Sequence, residues 1–436
     1  MSGDVTHTML LQAVTDLYNT RDLFFEGHSV TQAVEKPKIV ESQMNDVITL
    51  LETNQKLLKS KAELCMLKGK CLNVASKYDS TAEELLSKAV KLDPKLVDAW
   101  NNLGEVYWKK GDINSAKNCF TGALQHSKNK VSLRNLSMVL RQFGASREEK
   151  LQFINDSVQK AKEAIEMDIQ DGTSWFILGN AYLAQFFGGT QNKSVITLCM
   201  KAYSQAEKDP AARNNPDLHF NRSMCHIYQG EFAKSLLGFQ TAYQFDPSWE
   251  EPQSKATMIE NYLKNLDSMI KTKCNMAGKN KLQKIMSTMN EADLGPYGGG
   301  SYKSPLGNTI NLETRPIARL SEGGNSGCVV CGKVLASIAV DPSMPYTFIL
   351  IDADQTCIPI CTYNVSSSYG VTQGDAVAIP EPYVMNLKVN PNGDDSSQLK
   401  FKFIRIETPM VLVVNGKKLG IDKQAPTMLK VTAQSE

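Results

Sequence analysis

The chain has 436 residues, enough for two or three ordinary domains, and 42% of them are hydrophobic, a level that excludes wholesale disorder. The 48 Lys and Arg residues nearly balance the 46 Asp and Glu residues, and a formal net charge of +2 excludes a chain-wide field that would gather nucleic acid or anionic lipid. Electrostatic recognition is expected to be local.

The chain begins MSGDVTHTMLLQAVTDLYNTRD, with Asp4 where a secretory signal would carry a basic segment. No run approaches the roughly 18 consecutive apolar residues of a membrane span. A soluble, intracellular protein without membrane contact is expected. The ten cysteines form no dense framework, which suits thiols in a reducing compartment. Residues 1–60 read as helical, with VTDLYNTRDLFFE and IVESQMNDVITLLETNQKLL as an irregular or capping pair.

Residues 61–272 carry a repeat. The segment VDAWNNLGEVYWKKGDINSAKNCFTGAL places Trp100, Leu103, Gly104, Tyr107, Gly111, Ala116, Phe120 and Ala123 at the spacings of a tetratricopeptide repeat (TPR). Small residues at 104, 116 and 123 let two antiparallel helices approach, and the large ones fill the remaining space. The preceding unit supplies Gly69, Ala82, Leu86, Ala89 and Pro94, so Val97 is the first position of its repeat. A degenerate unit starts near Lys130. Another holds Trp175, Gly179, Tyr182 and Tyr203, with an insertion at FFGGTQNK, and a fifth holds Ser223, Gly230, Ser235, Phe239 and Ala242. A helix from about Glu250 is expected to close the array.

Counted from Val97, the positions that TPR repeats in general turn to the concave side of their superhelix select a set of side chains. They are Asp98, Asn101, Asn102 and Glu105, then Arg134, Asn135 and Arg141, then Asn180, Asp217, Asn221 and Glu251. Asn102, Asn180 and Asn221 suit an extended peptide, since an amide both donates to and accepts from peptide groups. Arg141, expected to face solvent, offers a planar fork for a carboxylate, while Asp217 and Glu251 offer acceptors for a cation or a free amino terminus. The expected ligand is a short extended peptide carrying both charge signs.

Composition changes near residue 290. Residues 273–314 form a lysine-rich connector and a Gly/Pro linker. From 315 to 436 the strands read RPIARL, GCVVCGKVLASIAV, YTFILIDAD, TCIPICTYNV, DAVAIPEPYVMNLKV and LKFKFIRIETPMVLVV. Helices first and strands second imply an all-α superhelical array followed by a small all-β barrel. The GDAVAI run resembles the fourth strand of an OB-fold. Tyr346, Phe348, Phe401 and Phe403 are candidates for stacking on single-stranded nucleic acid, although Phe401 and Phe403 also fit ordinary core patterning. Cys328, Cys331, Cys357 and Cys361 have spacings that invite zinc, but residues three apart on a strand face opposite ways, so buried free thiols are the favoured reading. No phosphate loop, nucleophile elbow or HExxH is found, and a non-catalytic adaptor without cofactor or metal is expected.

Local sequence in both halves, namely EELLSKAVKLDP, LGEVYWKKGD, NKVSLRNLSMVLRQ, NPDLHFNR, GDAVAIPEP and ETPMVLVVNGK, resembles the tetratricopeptide repeat protein 5 (Strap) family. The resemblance implies a stress-responsive transcription cofactor that acts in the nucleus with an acetyltransferase coactivator and an actin-nucleating partner. It also implies a cytoplasmic role in tubulin autoregulation, in which the TPR groove reads the Met-Arg-Glu-type amino terminus of nascent tubulin at the ribosome and triggers decay of its mRNA. On that model Arg141 meets the peptide Glu, Asp217 and Glu251 meet its Arg or amine, and Lys279 and Lys281 contact ribosomal RNA. An alternative is a transcription cofactor that binds nucleic acid through the barrel.

Overall fold

The computed structural model describes residues 5–189, 192–275, 279–303, 309–338, 343–390 and 398–425. An N-terminal group comprises α1 (His7–Asp22), α2 (Phe24–Gly27) and α3 (Lys36–Thr53). Five helical pairs follow: α4 (Lys61–Leu72) with α5 (Ser80–Leu92), α6 (Val97–Lys110) with α7 (Ile113–His126), α8 (Lys130–Leu140) with α9 (Arg147–Met167), α10 (Gly172–Gly188) with α11 (Lys193–Ala206), and, after α12 (Pro210–Arg213), α13 (Pro216–Gln229) with α14 (Phe232–Phe245). The long α15 (Glu250–Thr272) comes next, then α16 (Lys279–Met286).

Short polar residues set where these helices start. Ser60, Asp79, Asp112, Asn129, Ser146, Asp171 and Asn192 are N-caps whose side chains accept from amides of the first turn. Ser146 and Glu149 complete a reciprocal capping box. Gly111 ends α6 with φ +83, a left-handed conformation that a side chain would strain.

Close approach inside each pair explains the small residues of the repeat. A Cβ on Gly69 would meet Leu86 at 2.6 Å, one on Gly104 would meet Phe120 at 2.5 Å, and one on Gly179 would meet Tyr203 at 2.4 Å. In the degenerate third pair Ser137 holds the equivalent position, and its hydroxyl lies 3.0 Å from that of Ser157. Apolar volume is exchanged there for a hydrogen bond between fully buried hydroxyls.

Among the described residues, the C-terminal half holds twelve strands. A hairpin of β1 (Ser301–Lys303) and β2 (Thr309–Asn311) precedes β3 (Glu313–Thr314), β4 (Gly323–Gly324), β5 (Cys328–Ile338), β6 (Tyr346–Ile351), β7 (Cys357–Thr362), β8 (Ala376–Pro380), β9 (Tyr383–Val389), β10 (Leu399–Ile406), β11 (Val413–Val414) and β12 (Lys417–Lys418). From β5 the sheet runs through β6, β7 and β10 to β9, while β8 pairs back onto β5. β8 and β9 are separated only around Glu381, where φ is +43, so together they act as one bent strand that closes the barrel. The β7–β10 pair is parallel, and β5–β6, β6–β7, β5–β8 and β9–β10 are antiparallel. The GDAVAI run enters that bent strand, and the topology is that of an OB-fold. Leu350, Ile360, Val377, Ile379, Ile404 and Leu412 fill the interior.

Two expected strands differ. RPIARL contains a 3₁₀ turn, Ile317–Arg319, because Pro316 has no N–H for a ladder, and the Ile317 amide donates to Asp352 Oδ2 at 2.7 Å. The last run breaks at Pro409, where a 3₁₀ turn over Pro409–Val411 separates β10 from β11.

The chain divides into two compact units. Among the described residues, one contains those of 5–222 and 240–252, and the other those of 223–239 and 253–425, so part of the fifth pair and most of α15 pack with the barrel. Within this second unit Tyr262 Oη lies 2.8 Å from Thr347 Oγ1, Tyr363 Oη donates to Ile227 O at 2.8 Å, and Phe232 packs on Phe403.

Candidate peptide-binding groove

Successive first helices touch one another: α4 meets α6, α6 meets α8, and α8 meets α10. In a stack of helical pairs, contact between like helices marks the concave side. That contact is polar. Glu105 Oε2 accepts from Asn73 Nδ2 and Glu105 Oε1 from Asn135 Nδ2, both at 3.0 Å. Asn101 Oδ1 accepts from the Ser132 hydroxyl at 2.6 Å, and Arg134 pairs with Asp171 at 3.2 Å. Arg141 Nη1 donates to Ile177 O at 3.3 Å, and Asn221 Nδ2 donates to Asn180 Oδ1 at 3.1 Å. A hydrogen-bonded ladder therefore runs from α4 to α13 along one face, and the repeat register selects many of its members.

The six groove residues named from the sequence occupy different settings. Asn102 donates to Asp98 O at 2.8 Å, and its own oxygen faces Asn73 Nδ2 at 3.4 Å. Asn180 Oδ1 also accepts from Tyr203 Oη at 2.8 Å, so this amide is anchored from both sides. Asn180, Asp217 and Asn221 are each only 2% exposed, and Glu251 in the first turn of α15 is half-buried. Arg141 caps the C-terminus of α8 and is half-buried, whereas the sequence placed it facing solvent; its guanidinium folds back onto the α10 carbonyl. Of the connector lysines, Lys281 is exposed on α16, and the side chain of Lys279 lies outside the described residues.

The sequence missed the N-terminal contribution to this face. Tyr18 Oη on α1 donates to Lys70 O at 3.0 Å and faces Asn102 Oδ1 at 3.5 Å. Arg21 makes two bonds to Asp22, at 2.7 and 3.0 Å, and stacks over the Tyr18 ring. Burial pushes the Tyr18 phenol well above its ordinary range despite the neighbouring Arg21. Lys109 Nζ is held by Asn73 O, Asn73 Oδ1 and Ala75 O at 2.6 to 2.8 Å, and burial lowers its pKa to about 8. Beyond α1, Glu26 Oε1 accepts from Arg213 Nη2 at 2.8 Å and from Asn214 Nδ2 at 3.1 Å. The sequence signal for this contribution was the aromatic and charged run LYNTRDLFFE, which reads equally well as a capping helix.

In the barrel, two of the four proposed stacking aromatics are buried, and Tyr346 and Phe401 are half-buried. Phe348 and Phe403 are at most 1% exposed, and the Tyr346 hydroxyl is bonded to the Val371 backbone. Cys328 belongs to the barrel interior and Cys331 to a separate apolar cluster around Tyr297 and Val413, as alternation along β5 requires. Burial pushes the thiols of Cys331, Cys357 and Cys361 up to about 11. Among the described residues, no group of three or more His, Cys, Asp and Glu is placed to hold a metal ion. No described helix is long and apolar enough to cross a membrane.

Comparison with known proteins agrees with both halves. A family model for the tetratricopeptide repeat protein 5 OB fold domain matches residues 311–428, and two TPR models match residues 80–111 and 97–129. Tetratricopeptide repeat protein 5 of Homo sapiens is 44% identical over 429 residues, covering 98% of this chain and 97% of its own; that of Mus musculus is 46% identical over the same shares. Among solved structures, a thermophilic TPR protein of Thermus thermophilus is 15% identical and covers 45% of this chain and 98% of its own, with a TM-score of 0.39. With a TPR array, an OB-fold and relatives alike along nearly the whole sequence, the chain belongs to the tetratricopeptide repeat protein 5 family.

Proposed function

We propose that this TPR adaptor reads a short extended peptide of Met-Arg-Glu type, the amino terminus of nascent tubulin at the ribosome, and so triggers decay of tubulin mRNA in the cytoplasm. The observation that supports the reading is the polar ladder along the first helices, on which Arg141, Asn180 and Asn221 follow one another from α8 to α13. One cation and two carboxylates, Asp217 and Glu251, match a ligand with a carboxylate and a cationic end. The anchored amides of Asn102, Asn180 and Asn221 hold this face in one conformation, which lowers the entropy cost of seating an extended chain. Lys281 on the exposed face of α16, with Lys279 at its start, supplies cations for ribosomal RNA phosphates. A nuclear, stress-responsive role, in which an acetyltransferase coactivator and an actin-nucleating cofactor are the partners, belongs to the same reading.

The test uses the full chain and a fluorescent peptide beginning Met-Arg-Glu. Binding that is lost on scrambling the first three residues, and weakened by Arg141→Ala, Asp217→Asn or Glu251→Gln, supports the reading. Equal affinity for the scrambled peptide overturns it.

A further inference from the structure

The tip of the N-terminal group reaches across the array. α1 packs with α3 and α4, and Tyr18 touches α4 and α6, at the start of the polar ladder. Only a few residues later, α2 is at the other end. Glu26 bonds to Arg213 and Asn214, which are 187 and 188 residues further along the chain, and the ring of Phe25 lies 4.9 Å from that of Phe245 on α14. Lys36 Nζ sits over the Phe25 ring at 5.2 Å. The N-terminal group is covalently joined to the first pair through α3, and at the last pair it is held by these side chains. It therefore joins the two ends of the array, with Tyr18 of the same group lying against the first members of the ladder.

From this geometry we infer that residues 18–28 form a strap that closes the peptide groove into a ring, so that ligands enter by a chain end and not by the middle of a polypeptide. This rests on the groove reading given above. A closed ring can be entered by an internal segment only if a terminus threads through or the clasp opens. The clasp is suited to opening. Glu26 and Arg213 are solvent-exposed, with side-chain exposures of 42% and 48%, and an ion pair in such a setting is weak and screened by salt. The contact also borders the proposed site: Arg213 O is the acceptor of His219 Nε2 at 2.7 Å, and the Asp217 amide donates to Asn215 Oδ1 at 2.9 Å, one residue beyond Asn214. A strap at this point makes selection for a free terminus a property of the groove's shape, additional to any charge recognition of the amine.

Three fluorescent probes separate shape from charge: a peptide beginning Met-Arg-Glu, its N-acetylated form, and the same tripeptide embedded in the middle of a long chain. The acetylated and embedded forms both lack the amine, and only the embedded form lacks an end. The native full-length protein is expected to bind the acetylated form at least tenfold more tightly than the embedded one. Glu26→Arg, which sets two like charges together, is expected to narrow that gap and to raise the association rate about five- to tenfold; the swapped double variant Glu26→Arg with Arg213→Glu is expected to restore both. Equal binding of the acetylated and embedded forms by the native protein overturns the strap, as does a Glu26→Arg variant with an unchanged gap. If no Met-Arg-Glu probe binds at all, the peptide reading falls, and hydrogen exchange then judges the clasp alone. Slow amide exchange over Phe24–Gly27 that is lost in Glu26→Arg and regained in the swap upholds it, and fast exchange in the native chain removes it.

Discussion

The ring of Phe120 occupies the space that a Cβ on Gly104 would need, with the ring carbon 2.5 Å from that position. Gly104→Ala should therefore overpack the second pair and cost about 1–3 kcal/mol, although alanine is the better helix former. Gly122 on the partner helix is the control. A Cβ there meets Trp100 at 3.4 Å, an ordinary contact, so Gly122→Ala should be neutral or stabilise by up to about 1 kcal/mol. Urea unfolding of both variants checks the pair, and equal effects would show that the close approach is not what fixes the glycine.

In the second unit, Lys333 and Asp293 are 3.0 Å apart, with side-chain exposures of 5% and 11%. Asp293 lies on the 3₁₀ segment Glu291–Tyr297, and Tyr297 of that segment donates to Val411 O at 2.8 Å. Asp293→Ala leaves a buried ammonium without its partner and should cost about 3–5 kcal/mol. Asp293→Leu combined with Lys333→Met should recover most of that loss, because two apolar groups carry no uncompensated charge. Thermal unfolding of the single and double variants distinguishes the outcomes.

The legible parts of the sequence were those with a repeated physical cause. Gly69, Gly104 and Gly179 recur because a large residue of the partner helix fills the same space each time, and the register they set places Asn102, Asn180 and Asn221 on the polar ladder. The fourth barrel strand was legible as GDAVAI because alternation and a preceding glycine turn are local signals. What was not legible depends on contacts distant in sequence. Nothing near Glu26 reveals Arg213, and nothing near Asn73 reveals that its side chain bonds Glu105 of the next repeat. Burial of Phe348 was not legible either, since an aromatic on a barrel strand faces either solvent or a neighbouring layer, whereas for Phe403, which meets Phe232, core patterning was one of the two open readings.

His219 gives the fold a pH dependence. Its Nε2 donates to Arg213 O at 2.7 Å, and Nδ1 faces Arg222 at 3.4 Å, so the ring is held neutral. Burial lowers its pKa, with Arg222 adding to the shift, while the Arg213 carbonyl and Glu207 oppose it. Because the folded pKa is the lower one, the unfolded chain binds the proton more readily, and the ring's contribution to stability is complete above pH ~6.5 and shrinks as pH falls below it. His219→Gln should be less stable than the native chain at pH 7.5, and the difference should narrow at pH 5.5. Denaturant midpoints at both values test this, and a constant difference would place the acid sensitivity elsewhere.

The proposed peptide contact and the proposed ribosome contact should separate. Arg141 donates to Ile177 O at a long 3.3 Å from the end of α8, and it is only half-buried. Arg141→Ala should therefore lower thermal stability by no more than about 1 kcal/mol while weakening Met-Arg-Glu binding at least tenfold, the cost of one charge-assisted contact. Lys279→Glu with Lys281→Glu should do the reverse, sparing peptide affinity and reducing ribosome co-sedimentation most at low salt, with a shallower salt dependence than the native chain, since phosphate contacts act through released counterions. Peptide titration, thermal unfolding and sedimentation on the same two variants complete the test. A large loss of stability in Arg141→Ala would make that residue a structural cap, and a loss of peptide binding in the lysine variant would merge the two sites.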